Sequence, residues 1–390
     1  LDMLLKVAAA KPFKLSVDLE TRAGHTACIG LAWSKLEAIC IPLMCTEQEE
    51  GYWPVDEEAE IVFRLYRLLT HPNCHVIGQN FVYDAQYIFR HWHFIPNVKR
   101  DTMIAQHSCF STMPKGLDFL SSMYAEHHVY WKDEGKEWNP KIPEDQYWTY
   151  NCKDAVITYE VDDVTQATID GLALRPVADF QQSLFYPVLR TMQRGIRIDK
   201  SLRGQFAMDL MQEIAKREQW LIDVVGYPLN PKSPQQVQAF FYEELGLSII
   251  KDRKTRRPTA NEEAMRTLAQ REPILRPLVA KLLELRSLGV FLSTFVRAPL
   301  DIDDRMRCSF NIAGTKTYRF ASSKNAFGSG MNLQNTSSGG EEDDDPLSLI
   351  DERPLDLPNI RKLFIPDPGQ TFFDIDRAST DLRIVVWESD

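Results

Sequence analysis

Long hydrophobic runs are absent from this sequence of 390 residues. No apolar stretch approaches the roughly 20 residues that a membrane-spanning helix needs. The opening segment LDMLLKVAAAKPFKL is too short and too mixed for a secretion signal. The seven cysteines include no CxxC pair, which predicts reduced thiols in the cytoplasm rather than a disulfide scaffold. All eight histidines precede residue 129, and none is spaced with cysteines as zinc ligands are.

An excess of positive charge is also missing. The chain carries 45 lysines and arginines against 55 aspartates and glutamates, a net charge of −10. This balance does not by itself suggest a nucleic-acid-binding protein, although a local basic stripe can supply the attraction. One such stripe is KDRKTRR at 251–257, for which phosphate contacts and a solvated loop are equally good explanations. The acidic run EEDDD at 341–345 is typical of a solvated loop.

The first part of the chain has the periodicity of strands that alternate with helices. Residues 13–45 contain three apolar runs separated by short polar turns, which predicts three antiparallel strands in a meander. Helical patterns at 56–70 and 83–93 flank a short apolar stretch, and further helices are predicted around 101–110 and 144–170. This alternation predicts an α/β domain with a mixed sheet.

After residue 175 the pattern changes to amphipathic helices, and no internal repeat is visible. These helices are predicted over 178–194, 201–224, 233–245, 261–269 and 272–296. The chain is then irregular over 301–335, and strand character returns at 370–376. The expected domains are residues 1–172, 173–300 and 301–390.

Two carboxylates lie inside the first predicted strand, LSVDLET at 15–21. Asp18 and Glu20 are two residues apart, so their side chains project from the same face of the strand. Like charges at this distance repel each other unless a positive group lies between them. A divalent cation with oxygen ligands would satisfy both. Taken alone, however, the pair is more simply explained by a solvated strand face or an ordinary salt bridge.

Two further segments carry acidic residues at the ends of predicted elements. GQNFVYD at 78–84 places Asp84 in the first turn of a helix, where a carboxylate also compensates the helix dipole. YNCKD at 150–154 places Tyr150 and Asp154 four residues apart, on one helix face. Each segment has an ordinary structural explanation, but the ordered set of all three is much harder to explain in that way.

The ordered set resembles the three motifs of the DnaQ-like, or DEDD, 3′–5′ exonucleases, in the branch with tyrosine in the third motif. The resemblance implies a ribonuclease H-like fold and hydrolysis of a phosphodiester bond by two Mg²⁺ or Mn²⁺ ions about 3.5–4 Å apart. It implies four metal ligands, a tyrosine that orients the attacking water and two contacts with the 3′ end of the primer. The four metal ligands would be Asp18, Glu20, Asp84 and Asp154. Tyr150 would orient the water, and Thr21 and Asn80 would contact the 3′ end of the primer.

The second half resembles family A DNA polymerases. FYPVLRTMQRGIRID at 185–199 is similar to the segment that follows their exonuclease domain, and LNPKSPQQVQAFFYEELGL at 229–247 is similar to a thumb helix. SFNIAGTKTYRFASSKNAFGSGMNLQN at 309–335 resembles the family's T-x-T-G-R and N-L-Q-N stretch, and 360–390 resembles motif A of the palm. The implied architecture is an exonuclease domain, a mostly helical thumb and the beginning of an α+β palm.

This second resemblance also implies roles for individual residues. Arg319, Gln334 and Asn335 would contact minor-groove acceptors at the primer terminus, which all base pairs share. Asp376 would be the first metal ligand of the polymerase site, and the nucleotide-binding residues would be Asp381 and Arg383. The chain departs from the family pattern at Tyr318, where a glycine is usual.

The given sequence ends at Asp390, just after motif A, and the family's later polymerase motifs would lie beyond that point. We therefore expect this chain to hydrolyse DNA 3′ ends but not to polymerise, with deoxynucleotides bound only by a complete polymerase. A compact phage-like replicative enzyme in the host cytoplasm, with possible replication accessory proteins, is the expected context. The alternatives are a stand-alone exonuclease of the ribonuclease D type and a non-catalytic DNA-binding scaffold. Arg319 and the motif A segment count against the first, and the retained carboxylates count against the second.

Overall fold

The computed structural model describes residues 1–46, 48, 51–126, 130–133, 143–336, 357–375, 378–379, 383–384 and 387. Two compact units are present, and each brings together segments that are distant in the sequence. Unit 1 comprises residues 1–195 and 307–334, and unit 2 comprises residues 196–306 and 335–390. The expected domains 1–172, 173–300 and 301–390 stay predictions. Among the described residues, no helix is both long enough and apolar enough to cross a membrane.

A five-stranded mixed sheet forms the centre of unit 1, with strand order β3-β2-β1-β4-β5. Its strands are β1 (Phe13–Arg22), β2 (His25–Ala32), β3 (Ala38–Pro42), β4 (Cys74–Gly78) and β5 (Val98–Asp101). The first three strands form the predicted antiparallel meander, and β4 and β5 continue the sheet in parallel with β1. The predicted α/β class with a mixed sheet is confirmed.

In the described part of unit 1, eight helices accompany this sheet. The predicted ones are present with small differences in their bounds, except that the helix predicted over 178–194 is divided into two. The eight helices are α1 (Asp2–Ala10), α2 (Val55–Leu69), α3 (Val82–Trp92), α4 (Thr102–Cys109), α5 (Leu117–Tyr124), α6 (Glu144–Gly171), α7 (Arg175–Ser183) and α8 (Phe185–Arg194). Alternation in β1 buries Leu15, Val17 and Leu19 in a core shared with α2 and α3. The polar residues between them project toward the long helix α6, which packs against β1, β2 and β3.

An ion network fixes α6 to the sheet. Asp162 of α6 is almost fully buried and lies 3.2 Å from Lys14 Nζ of β1 and 3.0 Å from Arg100 Nη2 of β5. The Lys14 ammonium also reaches Asp163 at 2.5 Å and lies over the ring of Tyr159. A buried carboxylate needs such partners because an uncompensated charge in the interior is costly.

The segment 307–334 belongs to unit 1, although it is more than 100 residues from the rest of that unit in the sequence. It contains the two-stranded sheet of β8 (Ser309–Asn311) and β9 (Ala321–Ser323), and it ends within the 3₁₀ turn Leu333–Asn335. Phe310 and Phe320 pack against the same apolar core as Phe185 and Leu189 of α8. The segment that resembles the primer-contacting stretch of family A is therefore part of the exonuclease-like unit in this structure up to residue 334.

Unit 2 is mostly helical, as the periodicity after residue 196 predicts. Its elements are β6 (Ile196–Ile198), α9 (Lys200–Val225), α10 (Pro234–Gln238), α11 (Glu262–Arg271), α12 (Arg276–Phe291), β7 (Arg305–Met306) and β10 (Phe364–Ile365). π-Helical turns at Ala239–Glu244 and Leu292–Val296 extend α10 and α12, and 3₁₀ turns lie at Pro273–Leu275 and Ile360–Leu363. Val237, Phe241, Met265 and Leu282 are central to its apolar core.

The strand predicted over 370–376 is wrong for the part that the structure describes. Residues 370–375 have no regular structure, and Phe372, Phe373 and Ile375 are exposed. A strand needs a hydrogen-bonded neighbour, and within the described ranges no strand pairs with this stretch. The sheet of unit 2 instead ends at β10, next to β6.

The basic run 251–257 forms an exposed turn in unit 2. Lys251 pairs with Pro258 in an isolated bridge, and Asp252 accepts hydrogen bonds from the backbone of Lys254 and Thr255. Arg253 lies 2.9 Å from Glu263, an exposed ion pair. Phosphate contacts by this turn stay a prediction. The acidic run 341–345 lies outside the described residues.

We expect Asp162→Ala to destabilise unit 1 by about 3 kcal/mol, because it removes the buried carboxylate that Lys14 of β1 and the partly exposed Arg100 of β5 share. The measurement is urea denaturation followed by tryptophan fluorescence, since six of the eight tryptophans precede residue 150. The matched control is Asp163→Ala, which removes a half-exposed partner of the same lysine and should cost less than about 1 kcal/mol. If the two variants lost the same free energy of unfolding, Asp162 would not be the main attachment of α6 to the sheet.

Candidate active site

Three of the predicted carboxylates meet between β1 and α6. Asp18 and Glu20 project from one face of β1, and Asp154 projects toward them from α6. One carboxylate oxygen from each of the three lies within 4.8 Å of the others. Asp154 is buried, and the other two are partly buried. The structure therefore brings together the first and third predicted motifs.

One face of α6 supplies most of the polar contacts of this cluster. Tyr150, Asn151 and Asp154 lie three, four and seven residues after Tyr147, so all four are on the same side of the helix. Tyr147 Oη donates a hydrogen bond to Glu20 Oε2 at 3.3 Å, and Asn151 Nδ2 donates to Asp18 Oδ2 at 2.8 Å. The sequence prediction missed Tyr147 and Asn151, although this same spacing relative to Tyr150 and Asp154 was the signal that could have identified them.

Gly30 is required by the close packing of Asn151 on the sheet. In β2 it lies directly opposite Asp18 in the antiparallel register. A Cβ atom at this position would lie 2.6 Å from Asn151 Oδ1 and 3.0 Å from the Asn151 carbonyl oxygen. The absence of a side chain at residue 30 therefore lets α6 approach closely enough for Asn151 to orient the Asp18 carboxylate.

Asp84 joins the cluster from the start of α3. It is buried, and its Oδ1 accepts a hydrogen bond from the backbone N–H of Leu19 at 3.0 Å. Since Leu19 is the residue between Asp18 and Glu20, this bond ties the second predicted motif to the first. Burial raises the pKa of Asp84 well above its ordinary value, although the Leu19 hydrogen bond opposes this change.

A sharp turn between β4 and α3 is held by Asp101, a residue that the sequence prediction missed. Asn80 has a φ of +53°, in the left-handed region. The buried Asp101 carboxylate accepts hydrogen bonds from the backbone N–H of Asn80 at 3.1 Å and of Phe81 at 2.7 Å. It also caps α4 through the N–H of Met103. Burial raises the pKa of Asp101 to about 6. The Asn80 side chain is exposed on this turn.

The electrostatics of the cluster favour a bound cation. Burial, and then the charges of Asp154 and Glu20, raise the pKa of Asp18 well above its ordinary value. Burial, followed by the charge of Asp154, raises the pKa of Glu20 to about 7. Carboxylate oxygens are the donors that Mg²⁺ and Mn²⁺ prefer, and a positive ion would relieve both effects. The residues present therefore fit a divalent metal ion.

Two side chains from the segment 130–133 bind the carboxylate of Asp154. Trp131 Nε1 donates to its Oδ1 at 2.5 Å, and Lys132 Nζ contacts its Oδ2 at 2.6 Å. The same ammonium donates to Tyr150 Oη at 3.0 Å. Burial and the charge of Asp154 raise the pKa of Tyr150, so its phenol stays protonated. No motif or spacing in the sequence indicated Lys132.

Thr21 and Tyr83 lie at the edge of the cluster. Thr21 Oγ1 and Tyr83 Oη are hydrogen-bonded at 3.2 Å, and the tyrosine ring is partly exposed. Tyr83 precedes Asp84 in α3, so its position is fixed by the same turn that positions Asp84. These two hydroxyls and the exposed Asn80 are polar groups available to a ligand near the carboxylates.

The residues predicted for the polymerase side are only partly described. Arg319 and Gln334 are exposed in unit 1, and Asn335 and Arg383 are exposed in unit 2. Asp376 and Asp381 lie outside the described residues.

Tyr318, which departs from the resembled motif, has the backbone conformation of a glycine. Its φ is +62°, in the left-handed region that side chains disfavour. Its ring lies 4.4 Å from the His107 ring, and its Oη donates to the His107 carbonyl at 3.2 Å. His107 Nε2 in turn donates to the Thr315 carbonyl at 2.7 Å. These contacts with α4 offset the strain at residue 318.

Comparisons with known proteins agree with this arrangement. Residues 1–168 match the family model of the 3′-5′ exonuclease domain, and residues 200–389 match the model of DNA polymerase family A. The chain is 23% identical over 388 residues to DNA polymerase I of Pseudomonas aeruginosa, which covers 95% of this chain and 39% of that protein. It is 26% identical over 251 residues to the DNA polymerase DpoZ of Vibrio phage phiVC8, which covers 60% of this chain and 36% of that protein.

A solved structure shows the same fold. The POL domain of Pol1 from M. smegmatis, in complex with a DNA primer-template and dNTP, matches with a TM-score of 0.56 and 18% sequence identity, covering 86% of this chain and 54% of that one. The chain spans about two-fifths of the length of the curated relatives it matches. Its first 168 residues are thus similar to a 3′-5′ exonuclease domain, and residues 200–389 are similar to DNA polymerase family A. The stand-alone exonuclease alternative does not account for the match over 200–389.

We expect Gly30→Ala to destabilise unit 1 by about 1–3 kcal/mol, because its methyl group overlaps the Asn151 side chain. The measurement is again urea denaturation. Gly171→Ala is the matched control, since a Cβ there meets nothing within 4 Å, and it should not lower the stability.

A double variant tests whether the methyl group introduced by Gly30→Ala clashes with the side chain of Asn151. Combining Gly30→Ala with Asn151→Ala removes the amide but leaves the Asn151 carbonyl 3.0 Å from the new methyl group. The double variant should therefore be destabilised by less than the sum of the two single variants. Simple additivity would show that residues 30 and 151 do not interact.

Proposed function

We propose that this chain removes nucleotides from DNA 3′ ends by metal-dependent hydrolysis, as the proofreading part of a family A DNA polymerase. The observation that carries the proposal is the meeting of Asp18, Glu20 and Asp154 within 4.8 Å, beside Asp84 and Tyr150. The exonuclease family match over residues 1–168 supports the same reaction.

The four carboxylates would hold two divalent ions, Mg²⁺ or Mn²⁺. When bound, such ions supply a hydroxide at neutral pH and stabilise the oxyanion that leaves. Asn151 and Tyr147 hold Asp18 and Glu20 in the orientation needed for this role, through the hydrogen bonds on α6. The protonated Tyr150 phenol faces the cluster and orients the attacking water. No histidine is needed as a base.

The substrate is a single-stranded or frayed DNA 3′ end. The Thr21 hydroxyl and the exposed Asn80 amide lie where they can contact the terminal nucleotide. Arg319, Gln334 and Asn335 are exposed, as contacts with the minor groove of a primer terminus require.

In the complete polymerase, Asp376 would bind a catalytic metal ion, and Asp381 with Arg383 would bind the incoming deoxynucleotide. A cytoplasmic location, a phage-like origin and replication accessory proteins belong to the same proposal. The relative from Vibrio phage phiVC8 supports the phage context.

The test is incubation of the 390-residue chain with a 3′-labelled single strand and Mg²⁺, followed by gel electrophoresis. The wild type should shorten the strand and release mononucleotides. Asp18→Ala should reduce the rate at least roughly 100-fold, because the metal ions carry most of the chemistry. Tyr150→Phe should reduce it by a smaller factor, since it removes only the hydroxyl that orients the water.

The matched control is Glu57→Gln, which removes an exposed carboxylate of α2 in the same unit and should leave the rate unchanged. If Asp18→Ala degrades the strand as fast as the wild type, the site is wrongly assigned. If the wild type binds the strand but does not shorten it, a non-catalytic DNA-binding role is the better explanation.

A further inference from the structure

Lys132 places a positive charge on the Asp154 side of the carboxylate cluster. Its ammonium lies 2.6 Å from Asp154 Oδ2 and 3.0 Å from Tyr150 Oη. The Lys132 side chain is 20% exposed, and that of Asp154 only 6%, so the ion pair is largely shielded from water. Electrostatic attraction is strong in such a place, because few water molecules screen it.

The charge of Lys132 acts on more than its direct partner. It opposes the rise in the pKa of both Asp18 and Glu20 that burial and the neighbouring carboxylates cause. Lys132 therefore compensates the charge of the whole cluster, as a metal ion would, but with one unit of charge instead of the two or four that divalent ions bring.

The ammonium and a metal ion also compete for the same atom. Asp154 has two carboxylate oxygens, and Trp131 Nε1 occupies Oδ1 while Lys132 Nζ occupies Oδ2. Each oxygen keeps a second lone pair, but a divalent ion bound to Asp154 would lie close to one or both of these groups. Lys132 is the group that a second positive charge nearby would repel.

We propose that Lys132 is an internal counter-ion of this site, which stabilises the metal-free carboxylate cluster and is displaced from Asp154 when a divalent ion binds. The inference rests on the proposed metal-dependent function and adds a regulatory consequence to it. Because binding requires displacement of the ammonium, Lys132 sets the concentration of metal ion at which the site fills. It acts through Asp154 and is therefore a positioning residue.

A purely structural role predicts a different result. If Lys132 only attaches the segment 130–133 to α6, its removal loosens the site and weakens or does not affect metal binding. If it is a counter-ion, its removal increases the negative potential and frees Asp154 Oδ2, so metal binding becomes tighter. The sign of the change in metal affinity separates the two.

The experiment measures Mn²⁺ binding to the 390-residue chain by electron paramagnetic resonance of the free ion, in the absence of DNA. We expect Lys132→Met to bind Mn²⁺ about tenfold more tightly than the wild type, since it removes a unit charge at hydrogen-bond distance from a ligand. Lys132→Arg keeps the charge and should stay close to the wild type. Lys115→Met removes the same charge from an ammonium bonded to the Ser111 and Met113 carbonyls, and it should not reproduce the tenfold change.

Thermal unfolding in EDTA and in Mn²⁺ gives the second readout. Lys132→Met should unfold at a lower temperature than the wild type in EDTA, and Mn²⁺ should raise its unfolding temperature by more. An unchanged or weaker Mn²⁺ affinity in Lys132→Met overturns the counter-ion role, while the metal site itself stands if Asp18→Asn abolishes Mn²⁺ binding. If Asp18→Asn and the wild type bind Mn²⁺ equally, the proposed function fails, and the counter-ion inference fails with it.

Discussion

Mutual repulsion among buried carboxylates is the constraint on which the rest of unit 1 depends. Asp18 and Glu20 are forced onto one face by the geometry of a strand, and α6 brings Asp154 against them. Burial first, and then the charges of the neighbouring carboxylates, raise the pKa of Asp18 and of Glu20. The packing of α6 on β1 must therefore be strong enough to hold like charges together. The Asp162 ion network, two helical turns after Asp154, supplies this attachment.

Local spacing predicted which side chains of the candidate site share a face, and the resemblance to known motifs suggested their role. Residues two apart on a strand share a face, and residues four apart on a helix share another, so LSVDLET and YNCKD each presented a pair of side chains together. The Asp84 position followed from a strand-to-helix turn. In each of these pairs, both side chains belong to the same helix or strand, or to its end. The meander of β1, β2 and β3 was predicted from the same kind of short-range pattern.

The parts that sequence reasoning missed depend on contacts between distant segments. Lys132 lies in no recognisable motif. Its role comes from a contact with Tyr150 of α6, which is 18 residues away in the sequence. Asp101 stabilises the turn at Asn80 from the far end of another strand. The wrong strand at 370–376 has the same cause, because an alternating pattern shows that a segment can be a strand but does not supply the neighbour that makes it one.

A contiguous set of contacts in unit 1 connects the proposed primer-reading residue Arg319 to the proposed nuclease site. Tyr318, next to Arg319, is attached to His107 of α4 through its ring and its hydroxyl. The first turn of α4 is capped by Asp101, which also binds the backbone of Asn80 and Phe81. Contiguity alone does not establish coupling, which needs an element with two discrete arrangements. The strained φ of Tyr318 identifies where such an element would be found. Residue 318 is held in its left-handed conformation by its contacts with α4 and by the hydrogen bond from its N–H to the Thr315 carbonyl. A shift of α4 would therefore act on the backbone at Arg319 and on the turn at Asn80 together.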